Sequence, residues 1–177
     1  MATDEPKAPV SKSPFWRFSV KFYAVPGVAP GCIELQDQAG VDVNVLFFLL
    51  WNATRHRTFS RDHVADIERR IGAWREVVVV PLRAVRRALR SPPAAIAPDV
   101  AEGFRTRIKG VELEAERLQQ EALYELAQSG PLGDPAASPI EAARGSIAAY
   151  EATLRRPFPP SSIEAILAAF LRFEPPE

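Results

Sequence analysis

The sequence predicts an all-α protein, an irregular helical bundle around a short buried central helix, with a long antiparallel helix hairpin. The first indication is the run Val45–Trp51, which is apolar throughout, because a helix that is apolar on every side must be enclosed by other elements. The second is the recurrence of apolar residues every three or four positions over 60–89 and 99–128, which is typical of helices. The third is the clustering of most of the 17 prolines in four segments, 6–14, 92–98, 131–139 and 157–176, which punctuate the chain between the predicted helices.

Length and composition limit the possible functions. The 177 residues suit one domain with appendages. The 22 basic and 22 acidic residues balance, which disfavours nucleic-acid binding and binding to anionic membranes. Cys32 is the only cysteine, so an internal disulfide is excluded. The longest apolar run is far shorter than the roughly 20 residues that span a bilayer, and the first residues lack a signal-peptide pattern. We therefore expect a soluble cytoplasmic protein.

The first two helices are indicated by their end signals. Residues 1–13 are polar and proline-bearing, and we expect them to be disordered. Ser13 followed by Pro14 predicts a helix start, and the helix should extend to about Ala24. A second helix should follow from about Pro30 to Ala39, ended by a glycine. In the first helix, a face that should be buried is formed by Phe15, Phe18 and Phe22. A second apolar stripe beside it is formed by Trp16, Val20 and Tyr23.

The central helix has the strongest start signal in the chain. Asp42 can accept a hydrogen bond from the amide of Asn44 or Val45, as N-cap residues do. Val41 and Leu46 stand at the two positions of a hydrophobic staple. The helix should therefore begin just after Asp42 and continue to about residue 53.

Two longer helices should form the hairpin. The first should start after Ser60 and kink near Val77 or Val78, because Pro81 removes a backbone hydrogen bond and crowds the preceding turn. The second should be capped by Asp99 and end near Gln128. Its predicted coiled-coil-like seam consists of Phe104, Ile108, Val111, Ala115, Leu118, Ala122 and Leu126.

We expect a helical bundle domain over 14–128 and a proline-rich C-terminal extension over 129–177. The extension should contain two short helices, at about 140–155 and 162–173. They could dock on the bundle or remain available to bind a protein partner. The oligomeric state stays open.

Several segments together resemble a small bacterial protein family that is known only as a domain of unknown function. They are Phe15-Trp16 followed by 23–28, then 32–37, 40–46 and 81–87. The resemblance covers residues 15–52 and extends more loosely to about 126. It implies no activity, so it transfers no catalytic residue.

Asp42, Asn44 and Gln36 form the first candidate site, at the start of the central helix. They could bind a polar ligand at the helix N-terminus. The alternative is that Asp42 is a cap and Asn44 a buried amide bonded to backbone carbonyls.

Arg83, Arg86 and Arg87 form the second candidate site. Residues 55–90 contain ten arginines and four acids, whereas 99–128 contain four bases and seven acids. The arginines could pair with Glu112 and Glu116 across the hairpin, or their excess could bind a phosphate or carboxylate, which suits the guanidinium fork.

No catalytic, metal or cofactor signature is present. Cys32 has no sequence signature of a cysteine enzyme, and the spacing of His56 and His63 does not match a metal motif. Nucleic-acid binding through Arg55, Arg57 and their neighbour Phe59 is disfavoured by the zero net charge. We therefore expect a non-enzymatic helical interaction or scaffold module. The alternative is a protein that binds a small anionic ligand, or an enzyme of unfamiliar type, with a site near Asp42/Asn44 and Arg83/Arg86.

Overall fold

The computed structural model describes residues 13–130 and 132–176. Apart from Ser13, the segment that was expected to be disordered lies outside these residues. The described fold is all-α, as predicted. Its helices, in chain order, are α1 (Pro14–Tyr23), α2 (Val28–Ala39), α3 (Val43–Ala53), α4 (Arg61–Trp74), a π-helical turn (Arg75–Val79), α5 (Val80–Ala88), α6 (Pro98–Gln128), α7 (Pro139–Leu154) and α8 (Pro160–Arg172). Two-residue strands β1 (Arg57–Thr58) and β2 (Asp134–Pro135) pair antiparallel.

Helix α1 begins as predicted, because the Ser13 hydroxyl accepts a hydrogen bond from the Trp16 amide at 3.1 Å. The predicted first face, which starts with Phe15, is buried. The prediction of a second buried stripe was wrong, since Val20 and Tyr23 are largely exposed. The helix packs on α2, α3 and α6, and the side that carries Val20 and Tyr23 faces solvent.

Helix α2 starts two residues earlier than predicted. Gly27 adopts a left-handed φ of 90° at the N-cap, and Pro30 lies in the first turn, where a missing N–H costs no helical hydrogen bond. Gly40, at a φ of 72°, ends the helix as expected.

Helix α3 is the buried central helix that the sequence predicts. Asp42 caps it through a 2.9 Å hydrogen bond from the Asn44 amide, and every residue from Asn44 to Ala53 is buried. Helices α1, α6 and α7 enclose it. The rings of Phe15 and Phe48 meet edge to face at 5.4 Å, a favourable aromatic geometry.

The predicted kink is a π-helical turn over Arg75–Val79, directly before Pro81. A π turn contains one residue more than an α turn, and each residue rotates the face of a helix by about 100°. The buried residue of this turn is therefore Val79, whereas the apolar spacing of α4 continued through Trp74 without the extra residue places Val78 on that face. No residue of α5 is fully buried.

Helix α6 departs from the prediction at its start and along its seam. Ala97 occupies the N-cap and Pro98 the first position, so Asp99 lies in the first turn instead of capping the helix. The buried residues are Ala101, Glu112, Ala115, Gln119 and Leu123. Only Ala115 of the predicted seam is among them, because ion pairs and hydrogen bonds bury polar side chains here in place of apolar ones.

Helices α7 and α8 dock on the bundle. Helix α7 packs on α3 and α4, and α8 packs on α2. Ile147, Tyr150 and Ile166 belong to the same hydrophobic core as α3. At Gly31 a Cβ atom would lie 3.4 Å from Ile166, so the glycine allows α2 and α8 to approach closely. Residues 14–128 and the C-terminal segment therefore share one core.

Candidate functional site

A surface cavity of about 410 Å³ lies between the end of α2, the start of α3 and the π turn with α5. Four of the six predicted ligand residues line it, namely Gln36, Asp42, Arg83 and Arg87. The other two, Asn44 and Arg86, do not. Arg75 also lines the cavity, together with apolar side chains that include Val79 and Val80.

The Asp42 carboxylate is fully engaged by protein groups. Its Oδ1 accepts the cap hydrogen bond from Asn44, and its Oδ2 accepts from Gln119 Nε2 at 2.6 Å. Arg75 Nη1 lies 3.4 Å from Oδ2 and completes an ion pair. Asp42 is therefore a cap and a buried counter-ion, and it forms one wall of the cavity.

A ring of hydrogen bonds extends from Asp42 into the core. Arg75 donates to Glu68 Oε2 at 2.7 Å, and the Tyr150 hydroxyl donates to Glu68 Oε1 at 2.6 Å. The same hydroxyl accepts from the Asp42 amide at 2.9 Å. Through these four residues, α4, the π-helical turn and α7 meet at the start of α3.

Burial and the two carboxylates together set the charges of this ring. Burial raises the pKa of Tyr150 well above its ordinary value, and the charges of Glu68 and Asp42 raise it further. Burial acts to lower the pKa of Arg75, but the same two carboxylates outweigh it and the pKa rises. At neutral pH, Tyr150 is a neutral donor and Arg75 a cation between two acids.

The Asn44 side chain forms its hydrogen bond with α6 and does not line the cavity. Its Oδ1 accepts a hydrogen bond from Gln120 Nε2 at 2.7 Å, so the partner is a glutamine side chain, whereas the structural alternative paired the Asn44 amide with backbone carbonyls. The Oε1 atoms of Gln119 and Gln120 have no hydrogen-bond partner among the described residues. Asn44 therefore ties the central helix to α6.

The arginines of α5 are paired, as the first of the two alternatives predicts. Arg83 donates to Glu112 and Glu116, at 3.2 and 2.6 Å, and Arg86 donates to both carboxylate oxygens of Glu112. Burial acts to raise the pKa of Glu112, but the bonds from the two arginines outweigh it and the pKa falls. Burial raises the pKa of Glu116. Two acids thus share two guanidinium groups along the hairpin.

Arg87 is the most accessible base of the cavity. It forms a 3.0 Å ion pair with Asp37, in which both side chains are about half exposed. Arg83 Nη1 makes no hydrogen bond to any described residue, and neither does Arg87 Nη1. Two of the arginines that line the cavity therefore keep guanidinium N–H groups that make no hydrogen bond to the described residues.

The surroundings of Cys32 and His63, the remaining reactive side chains considered from the sequence, indicate structural roles. Cys32 is buried, and burial raises its pKa from 9.0 to about 12, so the thiol is protonated and a weak nucleophile. His63 accepts a hydrogen bond from the Ser60 amide and completes a capping box at the start of α4. Within residues 13–130 and 132–176, no three His, Cys, Asp or Glu side chains lie close enough to hold a metal ion. No helix of the same residues is long and apolar enough to cross a membrane.

Sequence reasoning missed Glu68, Arg75, Gln119 and Tyr150. Arg75 had been counted only as one of ten arginines, and Tyr150 belongs to a segment that had been treated as an extension. The weak available signal was Pro81, which predicts a kink close to Arg75, the residue whose guanidinium group contacts Asp42.

No curated protein and no solved structure matches the chain significantly. A family model described as "Protein of unknown function (DUF2390)" matches residues 14–123, which is more than half of the chain. The matched region contains the whole cavity, the arginines of α5 and all of α6 except its last turn, while Tyr150 lies outside it. The protein therefore belongs to the DUF2390 family of proteins of unknown function.

Proposed function

We propose that the protein is a non-enzymatic interaction module whose contact surface lies on α6. The supporting observation is a line of exposed apolar side chains on this helix, which we name the α6 stripe. It consists of Val100, Phe104, Val111 and Leu118, each between 42% and 61% exposed. A cytoplasmic location suits this proposal, because the single thiol is buried and unpaired.

The spacing of the stripe supports a helical partner. Its residues follow one another at intervals of four, seven and seven, which places them on one side of the helix. Apolar side chains that are exposed singly need no explanation, but an aligned set marks an interaction surface. An amphipathic partner helix could lie along it. The C-terminal extension, for which docking on the bundle and partner binding were the two alternatives, directs the apolar faces of α7 and α8 into the core, so α6 is the better candidate.

Site-specific photo-crosslinking in the native cell tests this proposal. A photoreactive residue replaces Val111, and the matched control replaces Ile33, an equally exposed apolar residue on α2. We expect a discrete protein adduct from position 111 and none from position 33. The absence of discrete adducts from all four stripe positions would contradict the proposal.

The cavity favours a second function, the binding of a small carboxylate or phosphate compound. Arg83 and Arg87 line a cavity together with Val79 and Val80, and the Nη1 atom of each arginine makes no hydrogen bond to a described residue. A guanidinium group is well suited to such anions. An anionic ligand could displace Asp37 from Arg87, because exposed ion pairs are worth only about 0–1 kcal/mol.

Thermal unfolding with inorganic phosphate and with short mono- and dicarboxylates tests this second function at constant ionic strength. We expect a saturable rise in the melting temperature with one ligand class. Arg87→Gln should abolish the rise. Arg90→Gln, which removes an exposed arginine that does not line the cavity, should retain it. Equal responses in both variants would exclude binding at the cavity.

A further inference from the structure

We propose that the partner of the α6 stripe is a second copy of this chain, packed antiparallel about a two-fold axis at Val111. This inference rests on the proposed interaction function. Helix α6 presents its buried face to α5 and to the bundle, and the stripe lies outside that face.

The stripe is symmetric about Val111. Phe104 precedes this residue by seven positions and Leu118 follows it by seven, and at 1.5 Å per residue both lie about 10.5 Å away. A two-fold axis at Val111 therefore places each Phe104 beside Leu118 of the other copy. The two Val111 side chains meet on the axis. The largest ring of the stripe thus faces a smaller aliphatic side chain, a combination that packs without steric conflict.

Charges beside the stripe favour the antiparallel direction. Arg107 lies four residues before Val111 and Glu114 three residues after it, so both border the stripe on the same side, about 50° from its centre. The two-fold axis brings Arg107 of one copy to within about 1.5 Å, along the helix, of the level of Glu114 of the other. Two identical ion pairs follow. In the present structure Arg107 lies over the ring of Phe104, 5.5 Å from its centre.

The wider charge distribution agrees with this direction. Of the charged residues that flank the stripe on this side, Arg107 precedes Val111, whereas Glu114 and Glu125 follow it. A parallel pair of α6 helices would place like charges together, and an antiparallel pair places opposite charges together. The arrangement is self-complementary, as the interface of a two-fold dimer must be.

Cysteine crosslinking of the purified full-length protein tests the symmetry. Cys32 is buried and is replaced by alanine in the background variant. Val111→Cys should form a disulfide-linked dimer on mild oxidation. Phe104→Cys and Leu118→Cys should each crosslink poorly alone and efficiently when mixed. Efficient crosslinking of Phe104→Cys with itself, or none at Val111→Cys, would overturn the antiparallel arrangement.

Charge reversal tests the ion pairs with surface substitutions that leave the core unchanged. By sedimentation equilibrium, Arg107→Glu should weaken the dimer about tenfold, which corresponds to about 1.4 kcal/mol. Adding Glu114→Arg to it should restore the affinity. The matched control Lys109→Glu makes the same charge change on the far side of α6 and should have little effect.

A monomer at every concentration would overturn this inference. Adducts with a different protein from position 111 would then leave the interaction function standing, whereas the absence of any adduct would end both.

Discussion

Replacement of Tyr150 by phenylalanine should destabilise the protein by about 3 kcal/mol. The change removes a 2.6 Å hydrogen bond to the Glu68 carboxylate, and bonds to charged groups are worth about 1.5–3 kcal/mol. It also leaves the buried amide of Asp42 without an acceptor, which costs about 1–3 kcal/mol. In a chain of this size, 1 kcal/mol shifts the melting temperature by about 2–4 °C, so we expect a decrease of about 6–12 °C.

Tyr124→Phe is the matched control. Tyr124 is partly buried, packs on Trp51 and makes no hydrogen bond through its hydroxyl to any described residue. We expect its stability to change by less than about 0.5 kcal/mol. Denaturant unfolding of the wild-type protein and both variants measures the difference. If Tyr150→Phe were no less stable than Tyr124→Phe, the hydrogen-bonded ring would contribute nothing to the free energy of unfolding, and our account of it would be refuted.

Three further changes probe other parts of the fold. The folded state holds the pKa of Cys32 near 12, above its ordinary 9.0, so stability should fall by up to about 1.4 kcal/mol per pH unit from pH 9 to 12, and unfolding curves of Cys32→Ala should lack this contribution. Glu112→Gln should cost about 2 kcal/mol in urea unfolding, because it leaves two part-buried arginines without their shared acid, whereas Glu102→Gln, which breaks an exposed pair with Arg105, should leave the urea midpoint nearly unchanged. Gly133→Ala should lower the melting temperature, because its φ is 70° and a Cβ atom would lie 2.5 Å from a β1 carbonyl oxygen; Gly110→Ala, in an open helical position, should raise stability by about 0.5–1 kcal/mol.

The central helix and most helix ends could be predicted because their signals are local. Ser13, Asp42 and Ser60 each cap a helix through a bond to an amide two or three residues ahead, and Gly40 requires only its own backbone conformation. The convergence of Gln36 and Asp42 with Arg83 was predictable in part, because neighbouring helices bring these positions to one side. The inferences about helix ends needed no knowledge of distant contacts, whereas the convergence with Arg83 depends on how the helices pack.

The seam of α6 could not be predicted, because the apolar pattern identifies the wrong face. Periodicity indicates the side with Phe104, Val111 and Leu118, yet the side with Glu112 and Gln119 is buried. Its burial depends on partners elsewhere in the chain, such as Arg83 for Glu112 and Asp42 for Gln119. Hydrophobic periodicity contains no information about such partners.

The docking of α7 and α8 has a consequence for how the chain is synthesised and folds. The family match ends at residue 123, but the hydroxyl of Tyr150 bonds to the amide of Asp42, 108 positions earlier. Ser162 likewise bonds to Glu34, 128 positions earlier. On the ribosome the apolar helix α3 emerges long before the segments that cover it. A nascent chain that ends at residue 123 therefore exposes apolar surface of α2 and α3, and completion of the core must await the last helix. The folding unit is thus longer than the region that defines the family.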